Sequence, residues 1–224
     1  MSPESIQKLR QAEVWIFDLD NTLYPADCNL FSQMDVKMGT FISEFLTVDY
    51  AQAKIIQKEY FHEHGTTLSG LMHHYNLPPE QFLDYVHDID YSPVISDEQL
   101  NQALDKLTGR KYIFTNGTVS HADSVLARLG VGHHFEDIFD IVASDYIPKP
   151  QAAPYEKFVS DHNIRPETAV MVEDMANNLT HPAVMGMQTV WVRTDSDWAQ
   201  NGSDGDHIHH RTDDLSKWLA DVTS

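Results

Sequence analysis

Residues 14–22 read Val14-Trp15-Ile16-Phe17-Asp18-Leu19-Asp20-Asn21-Thr22, an apolar run that leads directly into two carboxylates. A short run that is apolar throughout is typical of a strand buried on both faces, as in a parallel sheet. In open parallel sheets, ligands bind beyond the carboxyl ends of the strands. The sequence therefore predicts a buried strand over residues 14–17 and places Asp18 and Asp20 at a ligand-binding edge.

Four more apolar runs follow along the chain, separated by helical patterns. They are Tyr112-Ile113-Phe114, Ile141-Val142-Ala143, Ala169-Val170-Met171-Val172 and Thr189-Val190-Trp191-Val192. Residues 207–210 are expected to form a short last strand before a C-terminal helix. Strands that alternate with helices predict an α/β fold, with a Rossmann-like parallel sheet as its core and right-handed crossovers.

One long segment interrupts this alternation. About ninety residues with helical periodicity, and with no convincing strand, separate the first two predicted strands. An ordinary connection between a strand and a helix takes roughly 2–6 residues, so this segment is predicted to be an inserted helical cap. We expect residues 1–23 and 106–224 to form the core and residues 24–105 to form the cap.

The composition argues against several classes of partner. The chain has 34 acidic and 15 basic residues in 224, a formal net charge of −19. It has no cluster of Lys and Arg of the kind that displaces counterions from nucleic acid, so nucleic acid polymers and anionic membranes are poor partners. A small anionic ligand remains possible, because a bound metal ion can reverse the local field.

The sequence also bears on the expected location. Its single cysteine, Cys28, excludes an intrachain disulfide and a Cys-rich zinc site. Residues 1–5 lack the basic and apolar regions of a signal peptide, and no apolar run approaches the ~20 residues of a membrane helix. We expect a cytoplasmic protein.

Polar residues follow four of the predicted strands, and the sheet should bring them to one edge. In chain order they are Asp18 and Asp20, then Thr115, Asn116 and Gly117, then Lys149, and finally Glu173, Asp174 and Asn178. Carboxylates, a hydroxyl and one ammonium at one edge suit phosphoryl transfer through a covalent aspartyl-phosphate.

Each residue type has a role in that chemistry. Asp18 is the expected nucleophile, and Asp20, two residues later, can give a proton to the leaving oxygen and then activate water. Asp18 and Asp174 would supply oxygen ligands for Mg²⁺. Thr115 and the amides of Asn116 and Gly117 would hydrogen-bond the phosphoryl group, and Lys149 would balance its charge.

These motifs resemble those of a known superfamily. Asp18-Leu19-Asp20-Asn21-Thr22, Thr115-Asn116-Gly117, Lys149-Pro150 and Glu173-Asp174 are similar to the four motifs of the haloacid dehalogenase-like hydrolases, and the insert resembles their first class of cap. More narrowly, Asp18 to Pro25 (DLDNTLYP), Gly65-Thr66-Thr67-Leu68 and His87-Asp88-Ile89-Asp90-Tyr91-Ser92 resemble the pyrimidine 5′-nucleotidase branch.

The resemblance implies roles for the matching residues. Asp18 corresponds to the nucleophile, and Asp20 to an acid/base that also binds Mg²⁺ through its backbone carbonyl. Thr115 and Lys149 correspond to the phosphate-binding pair. Asp174 corresponds to the metal-binding carboxylate, with Glu173 acting through water. Asn178 stands where many members have Asp, which leaves its part in metal binding open.

The predicted function is that of a Mg²⁺-dependent phosphomonoesterase whose substrate is a small phosphorylated metabolite, a pyrimidine nucleoside 5′-monophosphate. A phosphatase for phosphoglycolate or a sugar phosphate is the first alternative. A phospho-accepting signalling module is less favoured, because its typical domain lacks such a cap. Dehalogenation fits poorly, because dehalogenases of the superfamily lack an Asp at the position of Asp20.

Candidates for substrate choice are Tyr24, Thr67 and Asp88, whose polar groups are expected to reach the sugar or base when the cap closes. The chain also has 13 histidines. Several of them are clustered, at His62 and His64, at His73 and His74, and at residues 207–210. The sequence leaves open whether any of these clusters binds metal.

Overall fold

The computed structural model describes residues 3–196 and 198–224. Within these ranges the helices are α1 (Pro3–Arg10), α2 (Leu30–Leu46), α3 (Tyr50–His64), α4 (Thr67–Tyr75), α5 (Pro79–Val86), α6 (Glu98–Lys106), α7 (Val119–Leu129), α8 (Ala152–Asp161), α9 (Thr180–Met185) and α10 (Leu215–Thr223). The strands are β1 (Val14–Phe17), β2 (Arg110–Phe114), β3 (Asp137–Phe139), β4 (Ala169–Glu173), β5 (Gln188–Val192) and β6 (His210–Thr212). No helix in the described ranges is long and apolar enough to cross a bilayer.

The six strands form one parallel sheet in the order β3-β2-β1-β4-β5-β6. β1 lies between β2 and β4, and Phe17 at its end pairs with Ile113 of β2 and Val172 of β4. This order confirms the predicted Rossmann-like sheet. Because the three central strands end in register, the polar residues that follow them meet at one edge.

Both faces of the sheet are covered, as the apolar strands predict. Along β1, Trp15 and Phe17 belong to one buried cluster, whereas Val14 and Ile16 belong to another. The first cluster is completed by α1, α6, α7 and α10, and the second mainly by α8. All of β1 is buried, so packing on both faces of the sheet fixes the position of the residues that follow it.

The predicted third strand was misplaced. Residues 141–143 lie in turns, and β3 is Asp137–Phe139. β3 is an edge strand in which only Phe139 is fully buried, so it lacks the continuous apolar run of a central strand. Ile141 is apolar for another reason, because it packs into the cluster formed by the inserted helices. The last strand begins at His210, at the end of the predicted segment 207–210.

The segment between β1 and β2 is helical, as expected. Buried residues of α2, α3, α4 and α5 share a cluster of their own, whereas α6 packs against α10 and buries Leu100, Ala103 and Leu104 in the sheet cluster. The division at residues 24 and 105 stays a prediction. We refer to α2–α5 as the cap helices.

A glycine allows the close contact between α3 and α4. A Cβ at Gly70 would lie 2.4 Å from both Cβ and Cγ of Tyr60, which is closer than two carbon atoms can approach. These Tyr60 atoms are near its backbone and cannot swing away. The two helices therefore pack at this distance only with glycine at position 70.

We expect Gly70→Ala to destabilise the protein by about 1–3 kcal/mol, because the added methyl overpacks the α3–α4 contact. The free energy of unfolding in urea measures this effect. Gly132→Ala is the matched control, because its Cβ would meet Leu126 Cβ at an ordinary 3.6 Å. Equal stability of the two variants would contradict the prediction.

Candidate functional site

One buried ammonium joins the ends of three strands. Lys149 Nζ lies 2.7 Å from Asp18 Oδ1 and 2.7 Å from Glu173 Oε2, and it donates to the carbonyl of Phe114 at 2.8 Å. Lys149 is only 2% exposed. Thr22 donates to the other oxygen of Asp18 at 3.0 Å. Asp18 is therefore held through both oxygens at the carboxyl end of β1.

Three buried carboxylates, those of Asp18, Glu173 and Asp174, lie close to the single ammonium of Lys149. Burial raises the pKa of Asp18 to about 7, the charge of Glu173 adds to the rise, and the Lys149 ammonium opposes it. Burial and the charge of Glu173 also raise the pKa of Asp174 well above its ordinary value. Although burial alone would lower the pKa of Lys149, its two carboxylate partners raise it overall. This edge of the sheet therefore favours a second cation.

The donors at this edge fit Mg²⁺. Ligand oxygens of Asp18, Glu173 and Asp174 lie within 4.8 Å of one another, and all three residues are buried. Asp174 Oδ2 and Asn178 Oδ1 are buried with no hydrogen-bond partner in the described part of the chain. Such oxygens are costly to bury unless an ion or water satisfies them. Hard oxygen donors of this kind suit Mg²⁺.

The loop after β2 is fixed to the loop that carries Lys149. Thr115 Oγ1 accepts a hydrogen bond from the amide of Gly117 at 2.9 Å. The side chain of Asn116 accepts from the backbone N–H of Lys149 at 2.9 Å and donates to its carbonyl at 3.3 Å. Asn116 thereby sets the position of Lys149 relative to Thr115. The structure brings the two predicted phosphate-binding segments together, and Lys149 connects them to Asp18.

Asp20 has a different environment from that of Asp18. Tyr24 OH donates to Asp20 Oδ1 at 2.5 Å, and His121 Nε2 lies 2.7 Å from the same oxygen. Burial alone would raise the pKa of Asp20, but the His121 ring and the two hydrogen bonds lower it overall. Two carboxylates only two residues apart are thus held by separate partners.

A second layer of side chains supports His121. Its Nδ1 lies 3.0 Å from Tyr91 OH, which also donates to the carbonyl of His87 at 3.0 Å. The His87 ring stacks on the His121 ring at 4.5 Å with an angle of 16°. Burial and the neighbouring His121 lower the pKa of His87 to about 3, so His87 is neutral. This layer fixes the plane of the ring that contacts Asp20.

Sequence reasoning missed His121 and His87. His121 lies in the first turn of α7, directly behind the Thr115 loop, and is completely buried. A histidine at the start of the helix that follows a phosphate-binding loop was the available signal. His87 ends α5 within a segment that the sequence assigned to substrate choice, but its partner is 34 residues away.

The three specificity candidates have different surroundings. Tyr24 is buried and bonded to Asp20. Thr67 is also buried, and its hydroxyl donates to the carbonyl of Gln57 within the cap helices. The Asp88 side chain is 85% exposed and pairs with Lys37 at 3.1 Å. The structure brings only Tyr24 into contact with a residue at the strand ends, and a role in specificity stays a prediction for all three.

A family model described as a haloacid dehalogenase-like hydrolase matches residues 13–181. The chain belongs to the haloacid dehalogenase-like hydrolases. The matched range begins just before β1 and ends after Asn178, so it includes all four strand ends at the candidate site. The family expected from the sequence motifs is therefore confirmed.

Relatives of this haloacid dehalogenase-like hydrolase include Phosphate metabolism protein 8 of Saccharomyces cerevisiae, which is 25% identical over 193 residues. That match covers 78% of this chain and 60% of the yeast protein, so this chain spans less than two thirds of its relative's length.

Several solved structures share the fold. The HAD-hydrolase YfnB from Bacillus subtilis, bound to magnesium, is 15% identical with a TM-score of 0.61, over 96% of this chain and 100% of that one. CbbY from Rhodobacter sphaeroides, in complex with phosphate, is 15% identical with a TM-score of 0.63, over 92% and 96%. L-2-haloacid dehalogenase from Xanthobacter autotrophicus is 15% identical with a TM-score of 0.53, over 93% and 87%.

The raised pKa of Asp174 predicts how stability depends on pH without metal. The unfolded chain ionises Asp174 near its ordinary value of 3.8, whereas the metal-free folded protein keeps it protonated well above that pH. Asp174 therefore contributes less to stability as pH rises, at most on the order of 1 kcal/mol per pH unit. Asp174→Asn removes the ionisable group, so this loss of stability with rising pH should disappear.

In EDTA, the stability gained by Asp174→Asn should grow between about pH 5 and about pH 7, as measured by urea unfolding at each pH. Excess Mg²⁺ should favour the wild type, because only the wild type retains the carboxylate that is expected to bind the ion. Asp84→Asn, at an exposed position, is the control. If the stability gained by Asp174→Asn does not change with pH, the pKa of Asp174 is not raised in the folded protein.

Proposed function

We propose that this hydrolase is a Mg²⁺-dependent phosphomonoesterase that works through an aspartyl-phosphate on Asp18. The observation that supports this proposal most directly is the pairing of buried Asp18 with Lys149, beside an Asp20 held by its own donors. Because the two carboxylates have different partners, Asp18 can act as the nucleophile while Asp20 acts as the acid/base. The relatives bound to magnesium and to phosphate give it further support.

The reaction takes two displacements at phosphorus. In the first, a carboxylate oxygen of Asp18 attacks phosphorus, the ester P–O bond breaks, and Asp20 gives its proton to the leaving oxygen. In the second, Asp20 takes a proton from water, the water oxygen attacks phosphorus, and the bond to Asp18 breaks. Inorganic phosphate leaves, and both carboxylates return to their starting states.

Asp18, Asp174 and the backbone carbonyl of Asp20 would hold Mg²⁺, with Glu173 and Asn178 around them. The ion supplies positive charge that favours the ionised form of Asp18 and offsets the charge of the phosphate. Thr115 and the amide of Asn116 hydrogen-bond the phosphoryl oxygens, while Lys149 balances their charge. The amide of Gly117 would have to leave Thr115 Oγ1 to join them. These contacts orient phosphorus toward Asp18.

The partners of Asp20 suit its second role directly. Its hydrogen bonds from Tyr24 and His121 favour the carboxylate, which is the form that activates water. For the first role Asp20 has to be protonated, and the negative charge of a bound phosphate ester beside it favours that form. His121 is thus a positioning residue that keeps Asp20 directed to the space beside Asp18.

We infer that the substrate is a pyrimidine nucleoside 5′-monophosphate. The support is the likeness of residues 18–25, 65–68 and 87–92 to the pyrimidine 5′-nucleotidase branch. The structure adds that residues 87 and 91 from the third segment contact the ring that holds Asp20. Recognition of the leaving group and orientation of the acid/base would then use the same segment.

Asp18→Asn should lower turnover by several orders of magnitude, because the amide cannot attack phosphorus. A rate above roughly a tenth of wild type, which corresponds to ~1.4 kcal/mol of barrier, would rule out Asp18 as the nucleophile. Asp27→Asn, at an exposed position just beyond the site, is the control and should keep full activity. Initial rates with p-nitrophenyl phosphate and Mg²⁺ measure both variants.

Asp20→Asn and His121→Phe should slow nucleotide hydrolysis more than p-nitrophenyl phosphate hydrolysis. General acid catalysis contributes typically ~10²–10⁴-fold, and an activated phenolate needs little of it. His121→Gln places an amide N–H near the position of Nε2, so it can still donate to Asp20 and should recover part of the loss. Equal losses on both substrates, where hydrolysis of the aspartyl-phosphate does not limit the rate, would show that His121 does not act through proton donation to the leaving oxygen.

A panel of phosphorylated metabolites tests the substrate. We expect higher kcat/KM for UMP and CMP than for AMP and GMP, no activity in EDTA, and recovery with Mg²⁺. Thr67→Ala and Asp88→Ala should reduce that preference and spare p-nitrophenyl phosphate. Faster hydrolysis of purine nucleotides, phosphoglycolate or sugar phosphates would overturn the nucleotide assignment alone. Halocarboxylate hydrolysis without phosphatase activity would overturn the whole proposal.

A further inference from the structure

A second group of metal-ligating side chains lies on the cap helices. His64 is the last residue of α3, and His74 is near the end of α4. Their Nε2 atoms are 3.2 Å apart, and the carboxylate of Glu63 lies 3.9 Å from His64 Nε2. One ligand atom from each of the three residues falls within 4.8 Å of the others. The described residues contain one other such cluster, the carboxylates around Asp18.

The spacing of the two nitrogens matches the edge of a tetrahedral zinc site. Zinc binds imidazole nitrogen at about 2.0–2.1 Å, so two such ligands in a tetrahedron are roughly 3.3–3.4 Å apart. The observed separation is 3.2 Å. A hydrogen bond between the two rings would also give this distance. It would not explain why the carboxylate of Glu63 lies beside them, whereas a metal site uses that carboxylate as a third ligand. Glu63 supplies a third donor on the same side.

The packing of α3 on α4 holds the two rings in place. The Tyr60 ring stacks on His74 at 5.0 Å with an angle of 17°, and it contacts His64 edge-on. Tyr60 is itself positioned by the close approach of Gly70. The contacts with Tyr60 therefore restrain both rings, although His74 lies on the surface.

The cluster is accessible and differs in chemistry from the carboxylates at the strand ends. The side chains of His64 and Glu63 are 22% and 67% exposed, so an ion can enter and retain water as a ligand. The ring of His73 lies 5.1 Å from that of His64 and borders the same space. Imidazole suits zinc, nickel and copper, whereas Mg²⁺ prefers oxygen.

We propose that His64, His74 and Glu63 form a binding site for a divalent transition-metal ion, with Zn²⁺ as the probe that fits best. The ion would connect the end of α3 to α4 and strengthen the cap helices. The turn between these helices also lies against the loop that carries Lys149, because a Cβ at Gly65 would touch Pro148, the neighbour of Lys149. The site does not depend on the proposed phosphatase activity.

Isothermal titration of the full chain with Zn²⁺ tests this site, using protein without a polyhistidine tag. Excess Mg²⁺ in the buffer occupies the oxygen ligands around Asp18 without competing for imidazole. We expect one bound Zn²⁺ per chain and a higher melting temperature when it binds. Circular dichroism of each variant verifies that it is folded.

His64→Ala and His74→Ala should each weaken Zn²⁺ binding by roughly tenfold or more, and Glu63→Gln should weaken it less. His133→Ala removes a ring from another adjacent histidine pair and should leave the affinity unchanged, as should Asp174→Asn at the strand ends. The proposal is overturned if wild type binds no Zn²⁺ under these conditions. It is also overturned if the His64 and His74 variants bind as tightly as His133→Ala.

Discussion

The contact on which the site depends is the buried ammonium of Lys149 between Asp18 and Glu173. Each carboxylate alone would be costly to bury at the end of a strand, and the cation makes their placement possible. The same contact joins the loop after β3 to β1 and β4. Burial and the charge of Glu173 outweigh the effect of the cation, so the pKa of Asp18 rises, and this edge of the sheet favours a divalent ion.

The division between Asp18 and Asp20 follows from what surrounds each of them. Asp18 lies at the carboxyl end of β1, where burial and Glu173 raise its pKa to about 7. Asp20 has turned toward α7, where Tyr24 and His121 supply two donors to one oxygen. Different partners give two carboxylates in one short motif distinct protonation behaviour, and an acid/base mechanism requires that difference.

The cap helices meet the core through specific contacts beyond their chain connections. Ile141, in the turn after β3, packs into the cap cluster, and Tyr146 donates to Glu80 at 2.9 Å. His87, at the end of α5, stacks on His121. The cap helices therefore contact both the loop that carries Lys149 and the ring that holds Asp20. A movement of the cap can change the positions of these two residues through those contacts.

The parallel sheet, the helical insert and the residues at the strand ends could be predicted from the amino-acid sequence, because buried strands and their polar ends are local patterns. It misplaced β3, since an edge strand is only partly buried and has no continuous apolar run. Only the tertiary structure decided which partners each carboxylate has. Lys149 is 131 residues from Asp18, and His121 is 101 residues from Asp20. Hydrogen bonds and ion pairs over such separations depend on how strands and helices pack, which no local pattern records.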